Sequence, residues 1–298
     1  MRGRDLTDLL ILAAVWGASF LFIRMAVGEF GPFALIELRV ALGALCLLPF
    51  VFMAGKLGEL LRHWKILLAN GTFAAALPFT FYAFAAQVMG AGYLSVINAS
   101  APAWVAVVGW VWFRDRLPRL AVLGLVIGFS GIVVLVWDKL FVATPPTAPA
   151  SEVAEWLGTL AALAAPVCYG LAANHAKRYL SGIAPIVNAA GTNGGAALVL
   201  APFAIYTWPA QPVSFQAWSA TILLAILCTS MAYILFYRLL ASVGPSKTVI
   251  VTFLVPVFGV FWGAFLLHEA LTTQILVGAV IILAGSALVI GAGRRGAT

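Results

Sequence analysis

Ten apolar runs, each long enough to cross the hydrocarbon core of a bilayer and separated by little more than turns, decide what this chain can fold into. They cover residues 6–27, 32–53, 64–87, 91–113, 117–137, 156–177, 185–207, 216–241, 245–267 and 272–292. A spanning helix needs about 20 apolar residues. The runs are continuous and do not alternate in segments of about ten, which predicts helices and excludes a barrel. Two soluble domains would need a polar face for water. With 63% hydrophobic and 9% charged residues the chain has too little polar surface to cover them, since soluble domains carry about 25% charge. Lipid is the expected solvent and partner.

The net charge of +7 does not mark a nucleic-acid surface, because the basic residues stand singly or in twos and threes between apolar runs. Counted as topology signals, Arg2, Arg4, Lys56, Arg62, Lys65, Arg114, Arg116, Arg119, Lys177, Arg178, Arg238, Lys247, Arg294 and Arg295 fall on one side, fourteen of the seventeen Lys and Arg. The positive-inside rule then puts both termini in the cytoplasm, which predicts a multi-pass protein of a bacterial inner membrane. The first run is longer than a signal-peptide core of about 7–15 residues and has no small-x-small site after a short core, so it is expected to remain in the protein. Cys46, Cys168 and Cys228 each lie inside an apolar run with no metal-ligand spacing, so no metal and no cofactor is expected.

A nearly constant offset relates the two halves. Adding 153 carries Trp16-Gly17 onto Tyr169-Gly170, Arg24 onto Lys177, Pro32 onto Pro185 and Pro49 onto Pro202; adding 154 carries Gly90 onto Gly244, Pro102 onto Pro256, Asp115 onto Glu269 and Gly131 onto Gly285. A register held across five spans predicts a duplication: residues 1–137 as the first repeat, 138–155 as an external linker, and 156–298 as the second repeat. Five spans is an odd number, so the second repeat is inverted and a pseudo-two-fold axis lies in the membrane plane. The expected fold is all-α and integral to the membrane, with ten transmembrane helices in two inverted five-helix repeats around a central cavity.

Enzymatic chemistry has no foothold: there is no His-Glu-x-x-His, no Gly-x-Ser-x-Gly and no Walker loop. Inverted repeats instead suit alternating access, with substrate held near the midplane by interrupted helices. Pro102 and Pro256 each lack the N–H that would bind the carbonyl four residues earlier, that of Asn98 and of Thr252, which are repeat mates. These pairs are the candidate kinks and gates. Phe79 and Tyr82 on the third span, and Tyr233 and Tyr237 on the eighth, can stack on an apolar substrate while hydroxyls meet its polar end; an interfacial aromatic belt is the competing reading. Trp16 and Ser19 on the first span and Tyr169 on the sixth divide between the same two readings.

Only Glu37 and Arg39 place charge clearly inside a span. Glu37 is expected to pair with Arg24 and is the one candidate coupling residue; Arg39 is expected to meet a substrate carboxylate or to snorkel outward. With no carboxylate at the midplane, obligatory proton antiport is weakly supported, and uniport or exchange of a neutral or zwitterionic small molecule fits better. Gly124, Gly128, Gly131, Gly278 and Gly285 make small-residue stripes that either pack the fifth span on the tenth, the preferred reading, or join two copies, leaving a monomer or a homodimer.

Trp16-Gly17-x-Ser19-Phe20, Arg39, the Pro102 and Pro256 spans, and the ends Phe113-Arg114-Asp115-Arg116-Leu117 and Leu266-Leu267-His268-Glu269-Ala270-Leu271 carry a resemblance to the drug/metabolite transporter superfamily and its ten-helix EamA-type members. Within them the chain is similar to the YddG-type exporters of aromatic amino acids. The resemblance implies a central cavity lined by the first, third, fourth, sixth, eighth and ninth spans and export of aromatic and other mainly hydrophobic amino acids, with Met and Thr as further substrates. Efflux of another amphipathic metabolite or drug is the alternative, and a membrane assembly subunit without transport is the reading from a different class.

Overall fold

The computed structural model describes residues 3–114, 117–141 and 152–295. All of its regular elements are helical: α1 (Gly3–Met53), α2 (Leu57–Arg62), α3 (Trp64–Gly71), a π-helical turn (Thr72–Ala76), α4 (Leu77–Ala86), α5 (Ala91–Asn98), α6 (Ala101–Phe113), α7 (Arg119–Phe141), α8 (Glu152–Tyr179), α9 (Pro185–Tyr206), α10 (Phe215–Ala225), a second π-helical turn (Ile226–Met231), α11 (Ala232–Val243), α12 (Pro245–Thr248), α13 (Val251–Leu266) and α14 (Thr273–Arg295). Among the described residues, eight helical stretches are long and apolar enough to cross a membrane, and α13 is a shorter apolar helix. Large apolar side chains such as Ile205, Leu198, Val280 and Val126 are more than half exposed, as a lipid-facing surface requires.

The 51 residues of α1 are not one rod. Gly31 has φ 71° and ψ 165°, a conformation that costs glycine little, and Pro32 follows with its φ already set for a helix start. The chain doubles back here. Glu29 bonds the start of α10 at Ser214; from that end, the first run descends to Asp8 opposite Arg238, and the second descends along the same partner to Gly43, whose carbonyl accepts from Ser230. A straight helix of this length would span about 77 Å at 1.5 Å per residue, far beyond a bilayer core of about 30 Å.

The glycine stripes pack within the chain. A Cβ on Gly124 would stand 2.7 Å from the Gly285 carbonyl oxygen, and one on Gly131 would stand 2.8 Å from the Ile282 nitrogen. Backbones that approach this closely make α7 and α14 the most extensive helix pair in the fold, as small residues allow in lipid.

The connection expected at 138–155 is shorter, because α7 continues to Phe141 and α8 begins at Glu152; its centre, with Pro145 and Pro146, lies outside the described residues, as do Asp115 and Arg116. The kink expected at Pro256 is displaced. In the first half the break falls at Ala99 and Ser100, just ahead of Pro102, but in the second it falls at Val249 and Ile250, and Pro256 lies inside α13.

Three helix starts are capped by glutamates from elsewhere in the chain. Glu59 accepts from the Ala184 N–H at 2.7 Å, Glu29 from the Ser214 N–H at 2.6 Å, and Glu269 from the N–H groups of Ala91 and Gly92 at 2.7 and 3.0 Å. Each satisfies orphan donors with an anion at the positive end of a helix dipole.

Candidate functional site

A cavity of about 550 Å³ lies among α1, α4, α5, α6, α8, α11, α13 and α14. That is a volume suited to a small organic solute. Of the residues singled out in the sequence, it brings together Trp16, Ser19, Arg39, Phe79, Tyr82, Asn98, Pro102, Tyr169, Tyr233 and Thr252. Tyr237 and Pro256 are not on its wall. Tyr237 stands behind Tyr233, their rings stacked at 6.2 Å, because both lie on one face of α11 at i and i+4 and only the nearer ring reaches the cavity. Pro256 turns into the seam between α5 and α13, where its carbonyl is 3.5 Å from the Ser95 hydroxyl.

The wall is mostly aromatic and aliphatic. Phe20 meets Tyr82 edge-on at 5.4 Å, Tyr82 faces Tyr169 at 6.4 Å, and Trp16 meets Phe236 at 5.6 Å. Tyr82 donates to Asn98 Oδ1 at 3.1 Å, which uses one amide acceptor and leaves the amide edge near the cavity. The repeat mates of this pair, Phe236 and Thr252, cannot copy it: a phenylalanine ring donates nothing, and the Thr252 hydroxyl turns back to the Val249 carbonyl at 2.7 Å.

Arg39 is 4% exposed, so it does not snorkel. Its Nε donates to Thr229 Oγ1 at 3.1 Å, and its guanidinium lies 3.6 Å from the centre of the Phe79 ring. Glu37 is not on the cavity wall, and the expected Glu37–Arg24 pair is absent: Arg24 donates to the Ala86 carbonyl instead, while Glu37 Oε2 is buried without a hydrogen-bond partner. Two positions apart on a helix, Glu37 and Arg39 point to different sides, which separates the acid from the cavity.

The cavity closes toward the Glu269 end and extends toward the end where Asp8 meets Arg238. At the closed end α5 packs on α13, with Gly92 against Val260 and Ser95 against Gly259. At the other, α6 departs toward α8 and α14, and Ala106, Val249 and Ile290 line the space left between them. Glu269 fixes the closed end from a tight turn in which His268 has φ 55°.

Sequence reasoning missed the two π-helical turns. They begin at Thr72 and Ile226, positions related by the offset of 154. Such bulges concentrate at functional sites, and the second aims Thr229 at Arg39. Nothing in composition announces a π turn; the available signal was Cys228-Thr229-Ser230, small polarizable and hydroxyl residues in the middle of an apolar span. Arg114 and His268, both at positive φ near 55° and again 154 apart, are a second matched feature without a sequence signature. Among the described residues no group of His, Cys, Asp and Glu could hold a metal.

The sequence profile of the EamA-like transporter family matches residues 7–137 and again residues 156–291. The chain belongs to the EamA-like transporter family. Among its EamA relatives, the uncharacterized transporter YvbV of Bacillus subtilis is 23% identical over 94% of this chain and 90% of its own, and the probable amino-acid metabolite efflux pump of Escherichia coli is 25% identical over 96% and 94%. A crystal structure covering 100% of both chains superposes with a TM-score of 0.65 at 19% identity, which shows a shared fold. The protein is therefore a multi-pass membrane transporter.

Proposed function

We propose that the protein exports amino acids with aromatic or other hydrophobic side chains, or amphipathic relatives of them, across a bacterial inner membrane by alternating access. The observation that carries this reading is the cavity itself: a largely apolar space lined from both halves of the chain, sealed at one end by helix packing and extending to the other. The name of the Escherichia coli relative points to the same class of solute. We count ten spans, with the two runs of α1 taken separately and α12–α13 taken as one, and read residues 1–137 and 156–298 as inverted repeats. The double match of one family profile and the paired π turns support that reading. With the basic residues counted as cytoplasmic, the open end faces the cytoplasm and the Glu269 end faces outward.

Uniport or exchange is favoured over proton antiport, since a proton relay needs an embedded acid on the path and Glu37 lies off the cavity wall. An assembly subunit without transport is disfavoured by the open space between Asn98 and Thr252. Liposomes containing the purified protein should take up labelled Trp, Phe, Met or Thr faster than empty ones, with or without a proton gradient. Rates equal to those of empty liposomes for every solute would sink the transport reading, and flux abolished when the gradient is collapsed would sink the uncoupled one.

A further inference from the structure

Arg39 is a buried cation without a counter-charge. Its single hydrogen bond runs from Nε to a neutral hydroxyl, and no carboxylate among the described residues pairs with it. Among the described residues, no Asp or Glu lines the cavity wall. The described acids with assigned partners are occupied elsewhere, Glu29, Glu59 and Glu269 at helix starts, Asp5 with Ser242, and Asp8 with Arg238 at the open end.

Removing one partner from a buried ion pair is strongly destabilising because a lone charge is left in low dielectric. A chain that keeps such a charge on the wall of an open cavity is arranged for a partner that arrives from outside. The geometry prepares that arrival. Thr229 holds Nε from behind, its own hydroxyl donating to the Leu224 carbonyl at 3.1 Å across the π turn. Phe79 covers one face of the guanidinium at 3.6 Å. The terminal nitrogens then remain as a planar fork, the shape that takes a carboxylate in two parallel hydrogen bonds.

An amino acid brings a carboxylate and also an ammonium, which needs an anionic or strongly polar acceptor. The wall offers it only neutral groups, and the Asn98 oxygen, which already accepts from Tyr82, has a single lone pair left for it. An ammonium here would also lie in the field of Arg39, which repels it. We infer that the preferred occupant is an amphipathic carboxylic acid with an apolar or aromatic body and no positive charge, such as a deaminated or N-acylated hydrophobic amino acid, bound through its carboxylate to Arg39. This inference rests on reading the cavity as the transport site and names the substrate class within it.

The test uses the purified full-length protein in detergent at pH 7 and three probes with one ring: 3-phenylpropionate, phenylalanine and phenethylamine. Binding is read by calorimetry. Phenylpropionate should bind at least about tenfold more tightly than phenylalanine, whose ammonium would be desolvated without a full set of acceptors, and phenethylamine should show no saturable binding. Arg39→Gln should remove the order, and Arg39→Lys should restore part of it. Arg39→Gln should also melt no lower than the parent, because it removes an uncompensated charge; a markedly lower melting temperature would make Arg39 a structural residue and overturn the inference. Phenylalanine binding as tightly as phenylpropionate, an unchanged order in Arg39→Gln, or no binding of any probe would overturn it too. Liposome flux separates the two claims: the predicted binding order with no flux of any probe would refute transport alone, and flux of all three at one rate would refute the anion preference alone.

Discussion

Glu269 is the residue whose loss should open the sealed end of the cavity. Its carboxylate accepts from Ala91 and Gly92 at 2.7 and 3.0 Å and joins the turn after α13 to the start of α5. A hydrogen bond to a charged group contributes about 1.5–3 kcal/mol. Because the freed N–H groups of Glu269→Ala lie near the end of the bundle and can reach water, the lower figure applies, for a total of about 3 kcal/mol. That lowers the closed-to-open ratio roughly 100-fold at about 1.4 kcal/mol per tenfold. Glu269→Gln keeps one neutral acceptor and should lower it roughly tenfold. Ser95, fully buried in the α5–α13 seam, is the reporter. In a chain whose three native cysteines are replaced by alanine, a cysteine at position 95 should react with a membrane-impermeant thiol reagent in proportion to the open population. The alanine variant should speed labelling by two orders of magnitude and the glutamine variant by about one. Labelling unchanged in folded Glu269→Ala would refute the view that this cap holds the end shut.

Two further outcomes follow from the packing. Hydrogen bonding from the Ala184 N–H, with Lys56 beside it, holds the Glu59 carboxyl below the usual glutamate range. A lowered folded value stabilises above the unfolded pKa of about 4.3 and is lost as pH falls through the folded one, so the gap in melting temperature between wild type and Glu59→Gln should narrow below about pH 4.3 and be constant near neutrality. Gly285→Val should lower the melting temperature sharply, since a Cβ there would stand 2.6 Å from the Gly124 carbonyl oxygen and overpacking typically costs about 1–3 kcal/mol or more; a melting curve that matches wild type would contradict the α7–α14 contact.

The helical class was legible because lipid leaves a spanning chain so few choices, and the runs beginning at Pro32, Ala91 and Pro185 start where the sequence placed them. Most of the cavity wall was legible too, from rings and hydroxyls set in apolar spans. What escaped was local backbone geometry. The Gly31 reversal falls in the gap the sequence left between residues 27 and 32, but the break near Pro256 moved to Val249 because a membrane helix can absorb a proline when its neighbours satisfy the freed groups. Charge partners also escaped. Glu37 and Arg24 have complementary signs in sequence, but the Ala86 carbonyl was the nearer acceptor for Arg24, and only the fold could show it. Tyr237 has the composition of a site residue and the wrong depth.

The central claim is that solute passes through this cavity. It is tested most directly by uptake of labelled phenylalanine and 3-phenylpropionate into liposomes carrying wild type or Thr252→Trp, a ring introduced on the cavity wall. Saturable uptake by wild type, lost in a Thr252→Trp protein that still purifies as a folded species, is the predicted result. Uptake that continues unchanged past the introduced ring would place the path elsewhere and contradict the account.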